Sequence, residues 1–120
     1  MSKDIQYTAL ISKDMKYTAL YWALRFFEIE EDIYSKSYGG YNVIIDAEAQ
    51  TVDYGEKIKV ISCELHYLKR HKDFVILECV DRLLASGGDP ADILLDGRDG
   101  CPDIIIKGQH IYCEQWGGGL

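Results

Sequence analysis

The clearest pattern in this chain runs Cys101-Pro-Asp-Ile-Ile-Ile-Lys-Gly-Gln-His-Ile-Tyr-Cys-Glu-Gln-Trp116. Two apolar runs flank Lys107-Gly-Gln109, and this order predicts two short strands joined by a tight turn. Asp103 opens the first strand and Glu114 closes the second. A hairpin would bring the two carboxylates together, and carboxylate oxygens are ligands that Mg²⁺ takes in proteins. The stretch therefore predicts a divalent-metal site at Asp103 and Glu114.

A second interpretation of the same hairpin stays open. The chain has 20 acidic residues among 120, so two of them will often lie near each other without any site. Two carboxylates on neighbouring strands repel each other unless a cation or a proton joins them. Asp96 and Asp99, in the loop before the hairpin, could add ligands. The hairpin is thus either a metal site or an ordinary exposed turn.

The segment before the hairpin predicts a helix from Asp73 to Ser86. Its apolar residues recur at helical spacing, and Asp73 is a candidate N-cap. Gly87 and Gly88 end the pattern, as a glycine after the last helical turn does. The apolar stripe consists of Phe74, Leu77, Val80, Leu84 and Ala85.

The first half of the chain predicts another helix and two strands. Apolar residues between Asp14 and Ile33 lie on one face of an amphipathic helix, and Tyr38-Gly-Gly-Tyr41 breaks the pattern. Strands are predicted over Asn42–Ala49 and Lys57–Cys63, as an antiparallel pair. The helical face comprises Met15, Ala19, Trp22, Ala23, Phe26 and Ile33.

Together these elements predict an α+β fold, with an antiparallel or mixed sheet of about five strands and two main helices. The length of 120 residues predicts a single domain over residues 1–120. Residues 2–10 and 12–20 nearly repeat each other, so one copy is redundant. We expect residues 1–12 to be poorly ordered and residues 117–120 to form a flexible tail.

Charge and hydropathy exclude several classes of function. The formal net charge is −7, which argues against coating nucleic acid, because phosphate binding needs clustered Lys and Arg. The one basic run is Lys69-Arg-His-Lys72, either a local phosphate contact or a solvated segment. No apolar run reaches the roughly 18 residues of a membrane span, and no secretory signal is visible. We therefore expect a cytoplasmic protein without membrane contact.

Residues 73–116 resemble the core of the PD-(D/E)xK nuclease superfamily. The segments that carry the resemblance are Phe74-Val-Ile-Leu-Glu-Cys-Val-Asp-Arg-Leu-Leu-Ala-Ser-Gly87, Pro90, Ile93-Leu-Leu95, Pro102-Asp-Ile-Ile-Ile106 and Ile111-Tyr-Cys-Glu114. In that superfamily a helix that often carries a Glu leads into a hairpin. An Asp starts one strand of this hairpin, and a Glu-x-Lys lies on the next.

The resemblance implies catalytic roles for Glu78, Asp103 and Glu114, with Asp103 and Glu114 holding Mg²⁺. The metal would polarise the phosphodiester and activate a water, while the Lys would support the developing charge. That Lys falls on Trp116 here, and an indole cannot supply a cation; Lys107 is the candidate substitute. The further helix and strand of the family have no counterpart before Leu120. The resemblance leaves an active nuclease and a degenerate, nucleic-acid-processing relative both open.

The thiols offer two weaker patterns. Cys63-x-x-His66 and His110-x-x-Cys113 together have the ligand types of a structural zinc site. Residues three apart on a strand point to opposite faces, however, so zinc is not expected. Cys113 and His110 could form a thiolate pair, although no third orienting group is evident. Cys79 lies in the helical pattern and is predicted to be a small core residue.

A non-catalytic function is the alternative to a nuclease. Glu28 to Asp32, with Tyr34, Tyr38 and Tyr41, could form an acidic surface that binds a basic protein, as an inhibitor module does. An exposed edge of the Asn42–Ala49 strand would favour self-pairing and a homodimer. Either a protein partner or self-association would follow from this alternative.

Overall fold

The structure is a computed structural model that describes residues 4–7 and 17–113. These residues form two α-helices, nine strands and two short 3₁₀ helices, at Cys63–His66 and Pro90–Asp92. The helices are α1 (Tyr17–Ala23) and α2 (His71–Ala85). The strands are β1 (Asp4–Tyr7), β2 (Phe27–Glu30), β3 (Ile33–Tyr38), β4 (Tyr41–Asp46), β5 (Thr51–Asp53), β6 (Lys59–Val60), β7 (Ile93–Leu95), β8 (Ile104–Ile106) and β9 (Gln109–Cys113).

A mixed sheet of five strands contains the predicted hairpin, in the order β1-β9-β8-β7-β6. Strands β7, β8 and β9 form an antiparallel meander, while β6 is parallel to β7 and β1 is parallel to β9. Lys107 and Gly108 make the β8–β9 turn with φ of 49° and 78°, as a two-residue hairpin requires. The α+β class and a mixed five-stranded sheet are confirmed.

A second, four-stranded sheet was not predicted. It is an antiparallel meander in the order β2-β3-β4-β5. Gly39 and Gly40 form the β3–β4 turn with φ of 63° and 99°, so the predicted break lies inside a hairpin. The expected pairing of the Asn42–Ala49 and Lys57–Cys63 segments is wrong. Strand β4 pairs with β3 and β5, whereas β6 belongs to the other sheet.

The long helix predicted from Asp14 to Ile33 is also wrong. Helix α1 ends at Ala23, and Arg25 has a φ of 67°, which a continuing right-handed helix excludes. The amide of Phe26 donates to the carbonyl oxygen of Tyr21 at 2.9 Å, and Phe26 is completely buried. This buried turn redirects the chain into β2, so the second part of the apolar stripe forms strands.

Helix α2 matches its prediction to within two residues at each end. Arg70 is the N-cap, and Asp73 lies at the third helical position, where its carboxylate accepts from the Arg70 amide at 2.8 Å. Asp73 therefore caps the helix from inside its first turn rather than from the N-cap position. At the other end, the amides of Gly87 and Gly88 donate to Leu84 and Leu83, which is a Schellman motif.

Both sheets pack on α2. Its residues 73–81 are all buried, as in a helix covered on more than one side. Lys72 and Cys79 contact the five-stranded sheet, while Asp81, about 200° around the helix from Cys79, contacts the four-stranded sheet. One apolar cluster includes the inner faces of both sheets. Its strand members include Tyr34, Val43, Ile45, Val52, Ile93, Leu95, Ile104 and Ile111.

The two copies of the N-terminal repeat have different structures where they are described. Asp4–Tyr7 of the first copy is β1, paired with β9, whereas the corresponding Tyr17 of the second copy begins α1. We predicted poor order for residues 1–12 and a flexible tail at residues 117–120. Apart from Asp4–Tyr7, these residues lie outside the described part of the chain. Neither described helix is long and apolar enough to cross a bilayer.

Candidate functional site

Asp103 lies where the start of β8, the end of β9 and the first turn of α2 meet. Its side chain is 4% exposed. One carboxylate oxygen, Oδ2, accepts the amide hydrogen of Cys113 at 2.8 Å. The other, Oδ1, lies 2.9 Å from Nζ of Lys72, whose side chain is 34% exposed. The carboxylate is thus fixed by the backbone on one side and neutralised by a partly exposed cation on the other.

The N-terminus of α2 gathers the basic run of the chain beside this carboxylate. Arg70 donates to Asp73 from Nη2 at 2.8 Å, and this hydrogen bond raises the pKa of the Arg70 guanidinium. Nζ of Lys69 lies 5.1 Å from the centre of the Tyr67 ring, within cation–π range. An open cavity of about 340 Å³ is lined by Glu64, Tyr67, Lys69, Arg70 and Asp73.

Asp96 is the next buried carboxylate along this end of the sheet. Its amide donates to the carbonyl oxygen of Asp103 at 3.0 Å, which extends the β7–β8 pairing by one residue. Its carboxylate accepts from Nε of Arg98 at 2.6 Å, and this hydrogen bond lowers the pKa of Asp96. Asp96, predicted as an additional metal ligand, is therefore paired with Arg98, while Asp99 is exposed on the same loop.

Glu78, the predicted helix acid, is 1% exposed, and its Oε2 lies 3.9 Å from Nε of Arg82, one turn further along α2. At about 100° per residue, Glu78 lies about a third of a turn around the helix from the side on which Lys72 and Cys79 meet the sheet. Its catalytic role stays a prediction that follows from the resemblance.

Two other predicted positions lie outside the described residues, namely Glu114 and Trp116. The carboxylate pair of Asp103 and Glu114 therefore stays a prediction. The suggested substitute cation, Lys107, is wrong on geometric grounds. It occupies the β8–β9 turn, at the opposite end of β8 from Asp103, and its Nζ lies 3.8 Å from Asp92. The cation at Asp103 is Lys72, which the sequence marked only as the last residue of the basic run.

Two of the four thiols, Cys79 and Cys113, contact each other in the core. Cys113 is buried against Cys79, and this hydrogen-bonded contact, with burial, raises the pKa of the Cys113 thiol far above its usual range. Cys113 and His110 lie three residues apart on β9, so their side chains point to opposite faces of the sheet, which argues against the suggested thiolate pair. Cys79 is confirmed as a core residue.

The zinc pattern is divided between distant strands. Cys63 and His66 lie just after β6, and two strands separate β6 from β9, which carries His110. Within residues 4–7 and 17–113, no group of three or more His, Cys, Asp and Glu side chains could hold a metal ion.

A further buried charge, which the sequence did not reveal, joins α2 to the four-stranded sheet. Oδ1 of Asp81 accepts from Nζ of Lys36 and from the hydroxyl of Tyr38, both on β3. Burial and this hydrogen bond raise the pKa of Tyr38. Lys36 also donates to the carbonyl oxygen of Leu24 at 2.7 Å. The hydrogen bonds of Asp81, Lys36 and Tyr38 join α2 to β3 and to the residue that follows α1.

Comparisons with known proteins do not assign this arrangement to a family. No protein-family model matches the chain. No curated protein and no solved structure shows significant similarity to it. The PD-(D/E)xK resemblance thus rests on the sequence pattern alone.

Proposed function

We propose that this chain is a PD-(D/E)xK-like nucleic-acid-processing domain with its site at Asp103. One observation carries the proposal, which is the 2.9 Å contact between Lys72 and Asp103. It joins the two features that the sequence marked separately, the basic run at the start of α2 and the acid at the start of the hairpin strand. A cation beside the Asp is what the family motif needs and what Trp116 cannot supply.

Each group has a distinct task in this proposal. Cys113 fixes the Asp103 carboxylate through its amide, so that Oδ1 is the oxygen that Lys72 contacts. Lys72 neutralises that oxygen and is exposed enough to contact a phosphate. Lys69, which is exposed beside the cavity, adds a second positive charge, and the N-terminus of α2 favours an anion at the same place.

Mg²⁺ is the metal that the resemblance implies, and Asp103 and Glu114 are the residues that would hold it. Oδ1 of Asp103 is the oxygen that faces a cation, and Mg²⁺ there would replace the ammonium of Lys72 rather than join it, because two cations at one oxygen repel each other. Bound there, the metal would supply the charge that activates a water for phosphodiester hydrolysis. In a degenerate relative, Lys72 alone would provide the positive charge, and the domain would bind nucleic acid without cleaving it.

Oligonucleotide binding tests the proposal for both the active and the degenerate form. Fluorescent single- and double-stranded oligonucleotides would be titrated with the protein at low salt, where phosphate contacts are strongest. Lys69→Glu should weaken binding about tenfold or more, while Lys57→Glu, an equal charge change at another exposed lysine, should have a much smaller effect. Equal losses in both variants, or no binding at all, would contradict the proposal.

Cleavage and metal binding then separate the two forms. An active enzyme should gain thermal stability with Mg²⁺ or Mn²⁺ and cleave the oligonucleotides, and Asp103→Asn should remove both effects. Glu48→Gln, at an exposed acid outside the site, is the matched control. Binding without cleavage or a metal effect would identify the degenerate form.

A further inference from the structure

An exposed aromatic ring lies beside the start of α2 and has no task in the proposed function. Tyr67 lies between the 3₁₀ helix Cys63–His66 and α2, and it is 45% exposed. It lines the open cavity of about 340 Å³, and Nζ of Lys69 lies 5.1 Å from the centre of its ring. An exposed aromatic ring next to cations is the arrangement on which proteins stack the bases of single-stranded nucleic acid.

The backbone that carries this ring is fixed by contacts with the four-stranded sheet and with the preceding 3₁₀ helix. The amide of Tyr67 donates to the carbonyl oxygen of Glu64 at 3.1 Å, and Tyr67 forms a β-bridge with Thr51. The amide of Leu68 donates to the carbonyl oxygen of Gln50 at 2.8 Å, and Leu68 is buried. The ring therefore projects from an ordered backbone, so stacking on it requires little further ordering of the chain.

The charged side chains that line the cavity balance each other. Arg70 donates to the carboxylate of Asp73 at 2.8 Å, so these two charges pair within the chain. Lys69 and Glu64 add one cation and one carboxylate. A carboxylate repels a phosphate but accepts a hydrogen bond from the amino group of a base. The balance favours an uncharged base in the cavity and leaves the phosphates to the cations at the start of α2.

The cavity lies close to Asp103. The pKa of the Arg70 guanidinium is raised first by its hydrogen bond to Asp73. The carboxylates of Glu64 and Asp103 add to this rise, so both lie within electrostatic range of Arg70. Lys72, the cation at Asp103, follows Arg70 by two residues. A nucleic acid strand whose phosphate contacts Lys72 therefore has a neighbouring base within reach of the cavity.

A base in the cavity distinguishes single strands from duplexes. In a duplex each base is paired and stacked between its neighbours, and taking it out of the stack costs free energy. A single strand offers its bases to an aromatic ring without this cost. Phosphate contacts alone would accept both forms, because they carry no information about the bases.

We propose that the site selects single-stranded over double-stranded nucleic acid by stacking one base on Tyr67. The base enters the cavity beside Glu64, and the adjoining phosphate meets Lys69 and Lys72. This inference rests on the proposed function, because it names the form of nucleic acid that the same site binds. Tyr67 is in this view a residue that determines specificity and takes no part in cleavage.

Three fluorescent probes of equal length test the stacking. They are a single-stranded oligonucleotide, the corresponding duplex, and a single strand of abasic sugar phosphates, which keeps the charges but has no bases. Binding is measured by anisotropy at one fixed, low salt concentration. The wild-type chain should bind the single strand about tenfold or more tightly than the abasic strand, because stacking on an aromatic ring strengthens binding to that extent. It should also bind the single strand more tightly than the duplex.

Substitutions at Tyr67 separate stacking from charge. Tyr67→Leu should remove most of the preference for the single strand and leave binding of the abasic strand unchanged, because leucine is apolar but has no aromatic face. Tyr67→Phe, which keeps the ring, should retain the preference. Phe27→Leu is the matched control, since Phe27 is an aromatic residue of the four-stranded sheet that is 65% exposed. It should leave all three affinities unchanged.

The outcomes distinguish a failure of stacking from a failure of the proposed function. If none of the three probes binds, the proposed function fails, and stacking on Tyr67 fails with it. If the probes bind and Lys69→Glu weakens them, but Tyr67→Leu has no more effect than Phe27→Leu, only stacking is overturned. Tighter binding of the duplex than of the single strand by the wild-type chain would overturn stacking as well.

Discussion

The two sheets contact opposite sides of α2 and differ in how they place their charges. At the strand ends of the five-stranded sheet, the carboxylates of Asp96 and Asp103 are buried, and each pairs with a cation, at 2.6 Å and 2.9 Å. At the β2 edge of the four-stranded sheet, Glu28 and Glu30 are exposed beside exposed apolar side chains. A buried carboxylate needs a partner within the chain, whereas an exposed one is stable in water and can take a partner from outside.

Substitutions in the core that both sheets share should have the largest effect on the free energy of unfolding. Ile45 of β4 and Ile104 of β8 are both completely buried. Replacing either with Ala should lower the free energy of unfolding by about 2–5 kcal/mol, from lost apolar burial and the cavity that remains. Chemical denaturation followed by circular dichroism and by tryptophan fluorescence should give one coincident transition for each variant. Two separated transitions would show that the sheets unfold independently and that the shared core does not couple them.

Removing Lys72 should have an intermediate effect. Lys72→Met keeps most of the side-chain volume but leaves the buried Asp103 carboxylate without its cation, which should cost about 1–3 kcal/mol of unfolding free energy. Glu28→Gln/Glu30→Gln is the contrasting variant and should change stability by less than about 0.5 kcal/mol, since both side chains are exposed. Urea denaturation at neutral pH measures both. Equal losses of unfolding free energy in the two variants would contradict the difference between the buried, paired carboxylate and the exposed ones.

The smallest effect should be the pH dependence at Asp96. Arg98 lowers the pKa of Asp96 below the ordinary value of 3.8, so the folded state binds this proton less readily than the unfolded state. The resulting stabilisation is fully present above about pH 4 and is lost as the pH falls through the lower, folded-state pKa. Arg98 is 59% exposed, so solvent screens the pair and its contribution to stability is expected to be small.

Asp96→Asn tests this contribution. The variant should flatten the dependence of unfolding free energy on pH below about pH 4 relative to the wild type. High salt should reduce the difference in pH dependence between Asp96→Asn and the wild type, because the guanidinium of Arg98 is exposed to solvent. A wild-type curve that is already flat in this window would exclude a stabilising Asp96–Arg98 pair.

Elements with strong local signals were predictable. Helix α2 has apolar residues at helical spacing and a glycine stop, and the β8–β9 hairpin has its own turn residues. The segment from Phe26 to Tyr38 was not predictable in this way. Its apolar positions fit a helix as well as strands, and the buried turn at Arg25 and Phe26 decides between them.

In the candidate site, too, local sequence features were predictable and contacts between distant residues were not. Asp103 was identifiable because it starts a hairpin strand, which is a local property. Its cation was not, because Lys72 lies on a different element and only the packing of α2 against β8 and β9 brings it within 2.9 Å. The expected self-pairing edge was misplaced for a similar reason. Strand β4 pairs with β3 and β5, whereas β2 and β5 are the end strands of this sheet within residues 17–113.

By itself the sequence determined the α+β class, helix α2, the β8–β9 hairpin and the acid at its start. These follow from periodicity, capping and turn residues, all of which act over a few neighbouring positions. Only the tertiary structure decided which strands pair, which cation meets Asp103 and which acidic residues face water. Those outcomes depend on contacts between residues far apart in the chain, because burial, charge pairing and strand order are properties of the packed molecule rather than of any segment.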